Sequence, residues 1–257
     1  MEGDKQVDKI LAIDVGNSSV KVYLGDIDGK DCELLGRIEK LEHAALIAEE
    51  EGVKGVAFLA TRHLTAEEQS LAKENDWWEL TGRTEVPMEV WYDRSTLGPD
   101  RLAAALACSD EGEDGALIID AGTALTIDVV SCAGEFMGGN ISPGLRLRLD
   151  SLAGNTSRLP RLKDVIAKEP FGTNTKEAIA SGVMSGMVGE MILAFINAWH
   201  IYEVRNIYLT GGNGEVFAES LARNLVQIEG DYEFGKIFID ETLVGKGLIE
   251  AYRYNHE

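Results

Sequence analysis

Short apolar runs alternate with polar turns and amphipathic stretches along this chain, and the spacing predicts a sheet with helices on its faces. KILAIDVG (9–16) reads as a buried strand entering a tight turn, and SSVKVYLGDI (18–27) as the strand that returns from it, so a hairpin is expected. CELLGRI (32–38) reads as a third strand, LEHAALIAEEEG (41–52) as a helix stopped by glycine, and KGVAFLAT (54–61) as a strand. LTAEEQSLAKEN (64–75) reads as a helix with Thr65 as N-cap. The order βββαβα requires a mixed sheet. Residues 98–108, GPDRLAAALAC, read as a loop running into an alanine-rich helix.

The acidic stretch SDEGEDG (109–115) is the expected domain boundary, dividing a first half, 1–114, from a second, 115–257. The pattern then begins again. LAIDVGNSSVKV (11–22) laid over LIIDAGTALTID (117–128) matches Leu11 with Leu117, Ile13 with Ile119, Asp14 with Asp120 and Gly16 with Gly122. Each half thus opens on a strand, D-x-G and small polar residues, as a duplication requires. EFMGGNISPG (135–144) predicts a strand ending in a turn, followed by a helix near 144–154. A long helix is expected from Asn174 to about His200, with Ala178, Ala180, Ser181, Gly182, Ser185, Gly186 and Gly189 close together. Such a face permits close helix approach, either within the chain or between subunits. NIYLTGGNGEVFAESLARNL (206–225) reads as strand, glycine turn and helix, and TLVGKGLIEAYRY (242–254) as a terminal helix of the second half.

Composition narrows the function. The 257 residues are 45% hydrophobic, enough for a large core. No 18-residue run is uninterruptedly apolar, and MEGDKQVDKI at the start is charged where a signal peptide needs an apolar stretch, so a soluble, cytoplasmic protein without membrane attachment is expected. Lys and Arg number 24 against 44 Asp and Glu, a formal charge of −20 that argues against nucleic acid as a partner. A phosphate ligand must then be held by backbone N–H groups, a cation or a few placed basic residues. Cys32, Cys108 and Cys132 lack the clustering of disulfide or zinc sites, and His43, His63, His200 and His256 fall in no motif.

Two familiar phosphate devices are excluded. GDYEFGKI (230–237) has P-loop spacing but carries Ile237 where a hydroxyl should meet magnesium, and a strand reads on from it. No strand–GxGxxG–helix unit is present. The D-x-G hairpins offer a third device: beyond each glycine, backbone N–H groups and the side chains of Asn17, Ser18, Ser19, Thr123 and Thr126 can converge on phosphate oxygens. Asp14 and Asp120 cannot bind phosphate directly and would hold a cation or its water; each also fits a plain turn-capping role. LTGGNGEVF (209–217) allows a flat ring to approach a strand end. Asp100 beside Arg101 supplies a proton acceptor and an anion partner, or equally an ion pair at a helix start.

Two D-x-G hairpins followed by a late glycine turn resemble the actin, sugar-kinase and heat-shock ATPase superfamily. That resemblance implies an α/β fold of duplicated ribonuclease-H-like halves with mixed sheets and an interdomain nucleotide cleft. DVGNSSVK (14–21), LGPDR (97–101), DAGTALTID (120–128), GGNISPG (138–144), TSRLP (156–160), NTKEAIASG (174–182) and TGG (210–212) are similar, in order, to type III pantothenate kinases. The resemblance implies ATP binding, with Mg2+, by Asp14, Val15, Gly16, Asn17, Ser18, Ser19, Val20, Lys21 and Thr123. It implies a monovalent cation, K+ or NH4+, on Asp120, and pantothenate binding by Tyr92, Gly98, Pro99, Asp100, Arg101 and Thr175, with Asp100 as catalytic base. It also implies a homodimer. Trp91 stands where that family usually has its substrate tyrosine; Tyr92 is one residue later and the family's following proline is missing. Alternatives are another small-molecule kinase or phosphatase of the superfamily, against which LGPDR and the GGNISPG to TSRLP run argue. A regulatory binding protein resembling the Bvg accessory factor has less need of three aspartates at 14, 100 and 120.

Overall fold

The computed structural model describes residues 8–27, 31–109, 114–163, 170–228 and 235–257. Much of the expected boundary at 109–115 and of the rejected P-loop at 230–237 lies outside them. Two compact units form. The first comprises Met1–Glu111, Gly134–Met137 and Glu241–Glu257, the second Gly112–Ala133 and Gly138–Asp240.

In the first unit, strands β1 (Lys9–Val15), β2 (Val20–Asp26), β3 (Cys32–Ile38), β4 (Gly55–Ala60) and β5 (Trp78–Leu80) form one sheet in the order β3-β2-β1-β4-β5. β1 is antiparallel to β2 and parallel to β4. Every residue of β1 after Lys9 is buried, as expected of a strand covered on both faces. On one face Leu11, Ile13, Val15, Val22 and Phe58 cluster with Leu41 and with Ala44 of α1 (Glu42–Glu51) and Ala72 of α2 (Ala66–Glu74). Helix α2 starts where expected: Thr65 accepts from the Glu68 N–H, and Glu68 reaches back to the Thr65 N–H at 2.9 Å, a capping box. Helix α3 (Pro99–Leu106) packs on α7 (Leu243–His256), which lies on β1 and β2. The terminal helix, read from sequence with the second half, therefore belongs to the first unit. The three-residue β5 is too short to show a strand periodicity in the sequence.

The second sheet repeats the plan. Strands β6 (Ala116–Ala121), β7 (Ala124–Val130), β8 (Phe136–Pro143), β9 (Asn206–Thr210) and β10 (Ile237–Ile239) take the order β10-β9-β6-β7-β8, with β6 antiparallel to β7 and parallel to β9. Reversed, that is the order of the first sheet with each strand replaced by its counterpart. The two halves are thus duplicated copies of one mixed α/β plan, although the ungapped alignment slips by one residue after the glycine. Lys21 faces Asp14, whereas Thr126, and not Ile127, faces Asp120.

Leu117, Ile119, Leu125 and Ile127 form the second core with Met184, Met187, Met191 and Phe195 of α5 (Thr175–Tyr202), Leu149 of α4 (Leu145–Asn155) and Leu221 of α6 (Gly214–Ile228). Asn174 caps α5, its side chain accepting from the Glu177 N–H at 3.1 Å. The sequence holds no uninterrupted apolar run of 18, yet α5 contains an 18-residue window of mean hydropathy 1.8, and half of that window is buried. Its hydrophobicity serves the core of the second unit.

Candidate active site

The first hairpin brings Lys21 Nζ to 3.5 Å from Asp14 Oδ2. Asp14 is only 7% exposed. Burial raises its carboxyl above the usual range, Lys21 pulls it back, and the Asp100 carboxylate pushes it up again. Beyond Val15 the chain turns as the Gly16 N–H donates to Ser19 O at 3.1 Å. Asn17 Nδ2 donates to Thr61 O at 3.4 Å, and the Thr61 N–H donates to Val15 O at 3.1 Å, so the end of β4 buttresses the loop. Val15 and Val20 turn their side chains into the core, which leaves them only backbone groups to offer a phosphate. Asn17 and Ser18 are exposed.

Helix α3 begins with Gly98 extended at the N-cap and Pro99 inside the first turn, where no N–H is needed. A Cβ at position 98 would stand 2.6 Å from Asp100 Oδ1, so glycine leaves the room into which that carboxylate folds. Asp100 is half-buried. Burial is the largest influence and raises its carboxyl, while its own N–H, the Arg101 N–H and the charges of Arg101 and Lys21 moderate the rise. Arg101 is 5% exposed. Its Nη1 donates to Tyr92 Oη at 3.4 Å, and its guanidinium carbon lies 5.1 Å from the Tyr92 ring centroid. Trp91 turns outward, 59% exposed, with Nε1 donating to Glu135 Oε1 at 3.4 Å. Of the two neighbouring aromatic residues, Tyr92 is the one that faces Arg101.

In the second unit the Gly122 N–H donates to Ala124 O at 3.0 Å and closes the turn that exposes Thr123. The Thr123 carbonyl accepts from the Gly144 N–H at 3.1 Å, which ties the end of GGNISPG to this turn. Asp120 pairs in register with Thr126 on one side and with the buried Thr210 on the other. The TGG turn folds directly against it. Gly211 has φ +82°, and a Cβ there would collide with Asp120 Oδ1 and come within 2.9 Å of the Ala121 backbone. Asn213 anchors the turn, its backbone N–H and its Nδ2 both donating to Ala121 O, at 3.1 and 3.0 Å.

The candidate residues thus fall into two constellations. Asp14, Lys21, Tyr92, Gly98, Pro99, Asp100 and Arg101 gather in the first unit; Asp120 and Thr123 stand at the second hairpin. Thr175, exposed at the start of α5, instead lines a groove of about 930 Å3 with Leu147, Arg148, Leu152 and Gly182. Sequence reading missed Thr61 and Phe136. Thr61 could have been found from the duplication, since β4 and β9 occupy equivalent places and the turn after β9 had been singled out. Phe136, whose ring centroid is 5.9 Å from that of Tyr92 and from the Arg101 guanidinium, carried no local signal.

Comparison with known proteins adds the family. Among solved structures, a Campylobacter jejuni protein described as a Baf family transcriptional activator superposes with a TM-score of 0.59 at 23% identity, covering 95% of this chain and 98% of that one. A Listeria monocytogenes protein described as an N-acetylmannosamine kinase gives 0.53 at 14% identity, covering 97% and 100%. At those identities the likeness establishes the fold, that of the actin-like ATPases. A type III pantothenate kinase of Porphyromonas gingivalis is 44% identical over 178 residues, 67% of each chain. Those of Phocaeicola vulgatus and Bacteroides fragilis are 33% and 34% identical, over 95% and 96% of this chain and 98% of each relative. The sequence profile described as type III pantothenate kinase matches residues 10–195, and the chain belongs to that family.

Proposed function

We propose that this chain transfers the γ-phosphoryl group of ATP to the 4′-hydroxyl of pantothenate, the entry step of coenzyme A synthesis, in the cytoplasm. The observation that carries this reading is Asp100: a half-buried carboxylate of raised basicity at the start of α3, beside the buried Arg101 and within the field of Lys21. Phosphoryl transfer is mostly positioning and charge stabilisation, so a base that orients the hydroxyl and takes its proton late suffices. Asp100 plays that part, and Arg101 holds the acceptor's carboxylate. Val15 to Lys21 and Thr123 are the proposed contacts of the nucleotide phosphates, which Asp14 meets only through a cation.

Asp14, buried near the end of β1, is the proposed carboxylate for magnesium. Mg2+ commonly binds through one or two carboxylates together with substrate phosphates and water, so a single aspartate suffices there. Asp120, against whose carboxylate the TGG turn packs, is the proposed holder of K+ or NH4+.

A homodimer through α5 is part of the same proposal. Gly182 and Gly189 have nothing within 4 Å of a would-be Cβ, and Gly186 has only Arg148 Nη1 at 3.9 Å. Exposed helix glycines cost roughly 0.5–1 kcal/mol each relative to alanine and here serve no packing among the described residues, which favours a second helix as their neighbour. Thr175, at the head of the same helix, would then serve the acceptor site of the neighbouring subunit.

The test is a coupled ADP-release assay with pantothenate, magnesium and potassium. The parent turns over, and Asp100→Asn, which keeps size but loses the proton acceptor, lowers kcat by about 10²–10⁴-fold with little change in ATP affinity. Near-parental kcat in that variant refutes the base assignment; no ADP release by the parent with pantothenate refutes the substrate.

A further inference from the structure

Phe136 lies far in sequence from the acceptor motif, yet Gly134–Met137 belongs to the first unit. Two backbone hydrogen bonds fix it there: the Phe136 N–H donates to Glu89 O at 2.9 Å and the Trp91 N–H donates to Phe136 O at 2.8 Å, making a parallel bridge with Val90. This pairing aligns the segment that carries Tyr92. The Phe136 side chain is fully buried and meets the Tyr92 ring edge-on, centroids 5.9 Å apart at 73°. The Arg101 guanidinium carbon is 5.1 Å from one ring centroid and 5.9 Å from the other, both within the reach of a cation–π attraction. Arginine has a long, rotamer-rich side chain, and a planar donor fork grips a carboxylate only when its plane is fixed. Two rings set nearly perpendicular define a corner that restricts that plane.

We propose that Phe136 is a positioning residue of the acceptor site: with Tyr92 it forms an aromatic corner that fixes the Arg101 guanidinium, and so sets how tightly an anionic acceptor is held. The pantothenate part of this inference rests on the proposed function; the geometric part does not. Phe136→Leu keeps an apolar side chain and both backbone hydrogen bonds but removes the ring's negative face. A desolvated cation–π contact corresponds to roughly 3- to 30-fold in binding. The acceptor KM therefore rises by about that factor, while kcat and the ATP KM stay within about twofold.

In an Arg101→Lys background the same substitution adds little, because the fork that it positions has gone. Independently of any substrate, the Arg101 Nε–Hε resonance, assigned by its loss in Arg101→Lys, carries the ring-current shift of both rings and moves in Phe136→Leu at a temperature where circular dichroism shows both proteins folded. An unmoved resonance, or losses spread equally over ATP and acceptor and additive with Arg101→Lys, overturns the inference and reduces Phe136 to a core residue. A parent that ignores pantothenate while the resonance still moves refutes the proposed substrate and leaves the corner standing.

Discussion

Lys21 stands between two carboxylates that burial alone would make costly, and its removal gives a stability change whose pH dependence follows from the geometry. At 3.5 Å from Asp14, with side chains 18% and 10% exposed, the pair has a Coulomb energy of about 5 kcal/mol at an effective dielectric constant near 20. Lys21→Met keeps most of the apolar stem and deletes the charge, leaving Asp14 without that partner. Loss of one member of a buried pair costs about 3–5 kcal/mol; partial exposure brings the expectation to about 2–4 kcal/mol at pH 8. Burial already raises the Asp14 carboxyl above 3.8 in the folded chain, so the folded state binds the proton more tightly than the unfolded one. The group's contribution to stability therefore declines as pH rises from about 3.8 through the folded value. Without Lys21 the folded value climbs further, and the decline extends to higher pH. The penalty of Lys21→Met is thus larger at pH 8 than at acid pH, because proton uptake by Asp14 removes its need for a partner. Urea unfolding followed by tryptophan fluorescence reports this, since Trp77 and Trp78 lie in the first unit. An equal penalty at the two pH values, or none, would refute the reasoning.

Three further outcomes are expected. Gly211→Ala forces a residue with a Cβ to φ +82° and into Asp120; it loses about 1–3 kcal/mol of stability in thermal unfolding, and nucleotide affinity measured by calorimetry falls with it. Gly186→Leu meets only Arg148 within the described chain, so the fold persists by circular dichroism while sedimentation shows weaker self-association and activity falls in parallel; a fully active monomer removes the dimer proposal. Replacing potassium and ammonium by tetramethylammonium lowers turnover in the ADP-release assay, and equal activity in the two buffers removes the cation from Asp120.

What the sequence made legible was local. Leu11, Ile13, Leu117 and Ile119 mark their strands because runs buried on both faces have no polar positions to confuse the period. Thr65 and Asn174 announce helix starts because capping is a contact between residues three apart. What escaped was set at long range. The three residues of β5 are too few for a periodicity, and they form a strand only because Phe58 and its neighbours offer an edge. Helix α7 follows the second sheet in sequence, yet Gly247 allows it to press against Ala103 of α3, a closeness that only the folded chain reveals. The one-residue slip between the hairpins could not be seen while the aligned matches all lay before it. In the candidate site, Asp14, Asp100 and Arg101 stand in motifs visible along the chain, whereas the aromatic corner required Phe136 to arrive from beyond the first unit's main stretch of chain.

The charge balance explains how so acidic a chain handles anions at all. The formal charge of −20 acts over the whole surface, and at physiological ionic strength its exposed members are screened beyond about 8 Å. The charges that decide binding in the proposed site are of another kind. Lys21 and Arg101 are largely withdrawn from solvent and lie close to Asp14 and Asp100, so salt screens them little and each is held in a fixed direction. A carboxylate and a cation in such proximity cancel at long range while keeping distinct faces at short range: one accepts a proton or a metal, the other meets a phosphate or carboxylate. The same D-x-G hairpin serves twice with different partners across the ladder, lysine opposite Asp14 and threonine opposite Asp120. The duplicated backbone thereby supplies two turns of one shape, and the residue facing each aspartate determines which charges gather there.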